Sequence, residues 1–70
     1  MQTLVFNTTT KTVKLYKDHA EQSEILVSIG NIPTVKIVDN FYEIMQKDEF
    51  EKSIPVLRVP IANTNMFINK

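Results

Sequence analysis

Three observations predict an all-β fold for this 70-residue chain. Valine, isoleucine and threonine, the β-branched types that favour extended backbone, recur throughout. Apolar and polar residues alternate in short runs such as "TVKLYK" (12–17) and "TVKIV" (34–38), which is the period of a strand with one buried side. Clusters of Asn, Thr, Asp, Gly and Pro separate these runs at short intervals, as turns do. The expected architecture is a small, curved antiparallel sheet or an SH3-like barrel of five or six strands, in one domain covering residues 1–70.

"TLVF" (3–6) opens the first hairpin, the polar "NTTTK" (7–11) is its loop, and Val13 and Leu15 mark the inward side of the return. Residues 18–24, "DHAEQSE", lack apolar periodicity and read as an exposed connection. The continuous apolar run "ILVSI" (25–29) has the look of a buried central strand. It ends in "GNIP", where Gly30 or Asn31 takes the positive φ of a turn. In "TVKIV", Val35 and Ile37 share one side, and Thr34 and Lys36 the other.

Residues 39–52, "DNFYEIMQKDEFEK", admit two readings. As a helix they show an Asn40-x-x-Glu43 capping box with Phe41, Ile44 and Met45 on one side. As a hairpin they show a two-residue turn, Asp39-Asn40, followed by a returning strand. A helical stripe would continue through Asp48 and Lys52, which are charged, so the hairpin is preferred. An α+β fold with one helix at about 40–52 is the alternative. The closing stretch has Ile54, Val56, Leu57, Val59 and Ile61, a turn at "ANTN" and a short last piece, "MFI". Proline cannot donate to a ladder, so Pro55 and Pro60 place this stretch at a sheet edge or a corner and blunt it against indiscriminate pairing. The expected core is Val5, Val13, Leu15, Ile25, Val27, Ile29, Val35, Ile37, Ile44 and Val56.

The composition excludes most chemistries. Without cysteine there is no disulfide, no thiolate metal site and no thiol nucleophile. His19 is the only histidine; with Asp18, Glu21 and Glu24 around it, it lacks the repeated ligands of a zinc or iron site and reads as part of a solvated loop. Ser23, Ser28 and Ser53 lie in no nucleophile-elbow pattern, and a single glycine cannot build a phosphate loop. The chain is therefore expected not to be an enzyme and to need no metal or cofactor. Lys+Arg and Asp+Glu both count 8, so no global field attracts nucleic acid or a membrane. The first residues are too polar for a signal peptide or a span, which predicts a cytoplasmic location away from membranes.

Binding is the expectation that survives. Arg58, set between the prolines, is either a solvated edge charge or an anchor for a partner carboxylate. In the second reading the backbone of Leu57, Arg58 and Val59 pairs with a partner strand, and Met66 and Phe67 add apolar contact. A nucleic-acid reading uses Lys14 and Lys36, with Tyr16 as a stacking platform. "QKDEF" (46–50) resembles the bacterial sliding-clamp-binding pentapeptide: Gln46, Asp48 and Phe50 match, while Lys47 and Glu49 stand where the pattern has leucines. Short length, with an apolar excess at Phe41, Tyr42, Met45, Met66 and Phe67, predicts a homodimer.

Lysine outnumbers arginine seven to one, asparagine and isoleucine are abundant, and cysteine is absent. In this overall character the chain resembles the small early proteins of phages and prophages of low-GC bacteria. The resemblance implies a non-enzymatic protein that binds and blocks a host protein of replication, transcription or antiviral defence. A small β-barrel that binds single-stranded nucleic acid and a structural virion component are the alternatives.

Overall fold

The computed structural model describes residues 1–19 and 22–69. Among them are seven strands: β1 (Gln2–Asn7), β2 (Thr12–Tyr16), β3 (Ile25–Ile29), β4 (Thr34–Val38), β5 (Phe41–Lys47), β6 (Ser53–Pro60) and β7 (Thr64–Asn69), with a 3-10 turn at Ile61–Asn63 between the last two. Turn chemistry sets several of the boundaries. The Asn7 side-chain oxygen accepts the N–H groups of Thr9 and Thr10, each at 3.0 Å, which curls the chain out of β1. Asn31, not Gly30, takes the left-handed conformation, at φ 58°. Asp39, at φ 55°, opens the two-residue turn between β4 and β5, so the stretch from 41 to 47 is strand and the helical alternative falls.

The strands form two sheets, ordered β3-β2-β1-β7 and β4-β5-β6. The larger sheet is mixed, not purely antiparallel: β1 runs antiparallel to β2 but parallel to β7, from Gln2 beside Thr64 to Asn7 beside Asn69. The long closing segment serves both sheets. Its first half pairs with β5; Pro60, at φ −61° and ψ 130°, and the 3-10 turn then carry it to the other sheet, where its second half pairs with β1. Among the described residues the barrel does not close, because β3 and β4 each pair with a single neighbour.

Leu4, Phe6, Val13 and Leu15 of the larger sheet meet Ile44 and Val59 of the smaller one, and Ile32 from the connection between β3 and β4 fills the end. Burying each of these side chains contributes roughly 1.5–3 kcal/mol. Val13, Leu15 and Ile44 are core as expected, and Val5 is buried, on the outer side of β1. Val27, Ile29 and Val35 are only half-buried, and Ile25, Ile37 and Val56 are exposed. The common cause is position. β3 is an edge strand, not the central one its apolar run suggested, and β4 and β6 are edges too, so each lacks a neighbour to cover it.

Candidate interaction site

Sheet edges are the feature most able to bind, and the hydrogen-bond phase decides what each edge offers. In an antiparallel ladder, bonded and non-bonded pairs alternate. The Ile61 N–H donates to the Asn40 carbonyl at 3.0 Å, so on β5 the even-numbered residues face β6. The Lys47 N–H donates to the Asn31 carbonyl at 3.3 Å, which places the odd-numbered ones toward β4. Two consequences follow from the registers. On β6, Leu57 and Val59 spend their main-chain groups on Ile44 and Tyr42, whereas Pro55, Arg58 and Pro60 face outward. On β4, Thr34, Lys36 and Val38 bond to β5, and Val35 and Ile37 face outward.

The prolines therefore stand at positions whose N–H groups would have pointed away from the sheet, so they remove no ladder bond. Of Leu57, Arg58 and Val59, only Arg58 keeps main-chain groups for a partner. The five residues expected to form one contact surface also scatter. Leu57, Val59 and Met66 pack inward, Val59 in the core, while Arg58 and Phe67 point outward from different sheets. The Arg58 side chain is already engaged. Its Nε donates to Glu43 Oε2 at 2.9 Å, and its guanidinium carbon lies 5.6 Å from the centre of the Phe41 ring. Glu43 is 12% exposed and Arg58 53%, so solvent screens much of the pair. Arg58→Ala is expected to lower stability by about 0.5–1 kcal/mol, the range of a half-exposed ion pair. Urea denaturation measures this directly.

Lys36, Glu43 and Arg58 form one cross-strand row on the outer side of the smaller sheet. Lys14 and Tyr16 lie on the outer side of the larger sheet, so the structure does not bring Lys36 to them. Tyr16 is 7% exposed, too covered for a stacking platform on its own. Phe67 is 52% exposed and shares a cross-strand row with Lys14 through Val5, a neighbourhood created by the parallel β1–β7 pairing. Of the residues expected to drive self-association, Met45 is buried and Phe41, Tyr42 and Met66 are half-buried; Phe67 alone is exposed.

The clamp-like stretch is split between the end of β5 and the turn that follows it. Gln46 Nε2 donates to the Gly30 carbonyl at 2.9 Å, and Asp48 Oδ1 accepts the N–H groups of Phe50 and Lys52, each at 2.9 Å. Phe50 is 75% exposed and does not cover the core. At the other end, Asp18 Oδ1 accepts from the backbone N–H and ring Nδ1 of His19, each at 2.8 Å. The His19 N–H, and then its ring, hold the Asp18 carboxyl below the ordinary carboxylate range. A lowered native value means that this contact favours folding above the ordinary carboxylate pKa and is lost as pH falls. Glu21, the third carboxylate considered near His19, lies outside the described residues. Among the described residues no three His, Cys, Asp or Glu side chains converge as metal ligands, and no helix is long and apolar enough to cross a membrane.

Ile37 is one of the residues that sequence reasoning places in the core and the structure places at an open sheet edge: it is 70% exposed beside an outward main-chain N–H. Its alternation pattern is that of a half-buried strand and carries no sign of which strand ends the sheet. Compared with family models, with curated proteins and with solved structures, the chain gives no match.

Proposed function

We propose that the chain is a non-enzymatic binding protein of the phage type, which blocks a host protein by pairing with an extended segment of it along β4. The observation that carries this reading is the contrast between the two edges of one sheet. β6 presents prolines at outward positions, whereas β4 turns the main-chain groups of Val35 and Ile37 outward beside an exposed Ile37 side chain. Unpaired strand edges without proline are templates for another strand. In such pairing the main-chain bonds supply affinity and the flanking side chains supply selection.

Lys36 indicates the chemistry of the segment. In its row the Glu43 carboxylate is taken by Arg58, and Lys36 makes no ion pair among the described residues. An acidic residue opposite Lys36, with apolar neighbours, would extend the row by one more alternating charge. A second copy of this chain fits less well, because antiparallel pairing centred on Lys36 sets lysine against lysine. This favours a host protein over a homodimer as the occupant of β4.

Ile37→Pro tests the reading, since it removes an outward N–H and leaves the β4–β5 ladder intact. A partner is captured from lysate of a low-GC bacterium, identified by mass spectrometry, purified and titrated calorimetrically. Ile37→Pro and Lys36→Glu should each weaken binding about tenfold or more, equivalent to about 1.4 kcal/mol. Arg58→Ala should stay within about twofold of wild type. Wild-type affinity in Ile37→Pro would sink the β4 site. So would a concentration-dependent dimer that Ile37→Pro abolishes, which would assign β4 to a second copy.

A further inference from the structure

The strands of the larger sheet carry little charge. Strands β1, β2, β3 and β7 together contain one charged residue, Lys14, and no acidic one. Lys14 makes no ion pair among the described residues. Directly across β1 from it, with Val5 between them, stands Phe67, 52% exposed. With strands about 4.8 Å apart, the backbones of the ammonium-bearing residue and the ring stand roughly 10 Å apart, and Val5 between them is 6% exposed. Beside this row lies an open concavity of about 310 Å³, lined by Val5, Lys14 and Tyr16 and by the amide and hydroxyl groups of Asn7, Thr12 and Asn69.

We infer that this side of the sheet binds single-stranded nucleic acid, with a phosphate at Lys14, a base stacked on Phe67 and an adjoining nucleotide in the concavity. The inference rests on charge complementarity and on the mixture of groups. A lone uncompensated cation on an acid-free surface attracts an anion. An exposed aromatic ring on a sheet offers a stacking face that every base can use. Asn7 Oδ1 already accepts from Thr9 and Thr10, and the Thr12 hydroxyl pairs with that of Thr10 at 2.8 Å, which leaves the Asn7 amide N–H groups and the Asn69 side chain to meet base edges and sugars without demanding one sequence. The volume is at the lower end for ligand sites, suited to one nucleotide and not to a folded domain. This site is separate from β4, so it stands or falls independently of the protein partner.

The test is fluorescence anisotropy with labelled twelve-residue oligothymidylate at low salt, repeated over a salt series. Saturable binding is expected. Phe67→Ala should weaken it roughly tenfold, the loss of one base stack, and Phe67→Trp should restore it. Lys14→Ala should weaken it several-fold and reduce the slope of log affinity against log salt by about 0.7, one phosphate contact on a single strand. Lys36→Ala, on the other sheet, should bind as wild type does. Inorganic phosphate and thymidine monophosphate at equal nucleotide concentration should compete weakly, because they supply one contact in place of several. Three results would overturn the inference: no saturable binding, Phe67→Ala binding as tightly as wild type, or equal losses in Lys36→Ala and Lys14→Ala. Full competition by the mononucleotide would overturn it too, by reducing the site to a pocket for a single nucleotide.

Discussion

Ile32→Ala is expected to lower the folding stability by about 2–5 kcal/mol, the range for truncating a fully buried aliphatic side chain. Ile32 has no exposed surface although it belongs to no strand; it packs with Leu4, Phe6, Val13, Leu15, Ile44 and Val59. Two features push the expected loss toward the upper half of the range. Its backbone is tied to the β1–β2 loop, the N–H donating to the Lys11 carbonyl at 2.9 Å, so the connection cannot readily sink into the cavity. It also sits where the two sheets share a core, so neighbours from both must move to fill the space. A domain of this length has roughly 4–10 kcal/mol in total, and a third or more of that would go with one residue. Urea denaturation should show a lower midpoint with an unchanged slope, and a loss below about 1 kcal/mol would contradict the role assigned to Ile32. Ile61→Ala, at a half-buried position in the 3-10 turn, should cost clearly less.

Thr3→Val and Thr64→Val should act in the opposite direction, each raising stability by about 1 kcal/mol. Both threonines are buried, at 1% and 6% exposure, and neither Oγ1 has a hydrogen-bond partner. Each hydroxyl leaves bulk water on folding without gaining a protein partner. Valine keeps the shape and the preference for extended backbone while removing the unpaired dipole. Together the two substitutions should raise the melting temperature by roughly 8–15 °C in a domain of this size. Serine at either position keeps the hydroxyl and loses a methyl group, so it should destabilise. A destabilising Thr→Val would mean that the hydroxyl is bonded in solution, and near-ultraviolet circular dichroism would show whether the packing had changed as well.

Local chemistry makes much of the fold legible in the sequence. The prolines at 55 and 60 point to an edge or a corner, and the segment has both. Asp39-Asn40 announced a two-residue turn, and the charged Asp48 and Lys52 argued correctly against a helix. What stayed hidden depends on pairings between distant segments. Nothing in "TLVF" or "TNMFIN" states that they lie side by side in parallel, and without that pairing Phe67 has no connection to Lys14. A run such as "ILVSI" carries the same apolar signal whether a second neighbour covers it or not, so Ile25 reads as interior although it is 49% exposed. The same limit applies to Ile37 and Ile32. One is apolar in a strand and lies outside the core, and the other is apolar in a turn and lies within it, because sheet order and not residue type decides who is covered.

The parallel pairing of β1 with β7 also orders events during synthesis. Thr8 and Asn69, which meet through the Thr8 N–H at 2.8 Å, are 61 positions apart in the chain. At roughly 5–20 residues per second, several seconds pass between the synthesis of β1 and that of the strand that completes its sheet. In that interval the β1–β2 hairpin can form within microseconds, but the far side of β1, with Leu4, Val5 and Phe6, stays uncovered. Folding of the whole domain thus waits for β7 to be made, and any factor that shields a nascent apolar strand acts on this protein in the seconds before β7 appears.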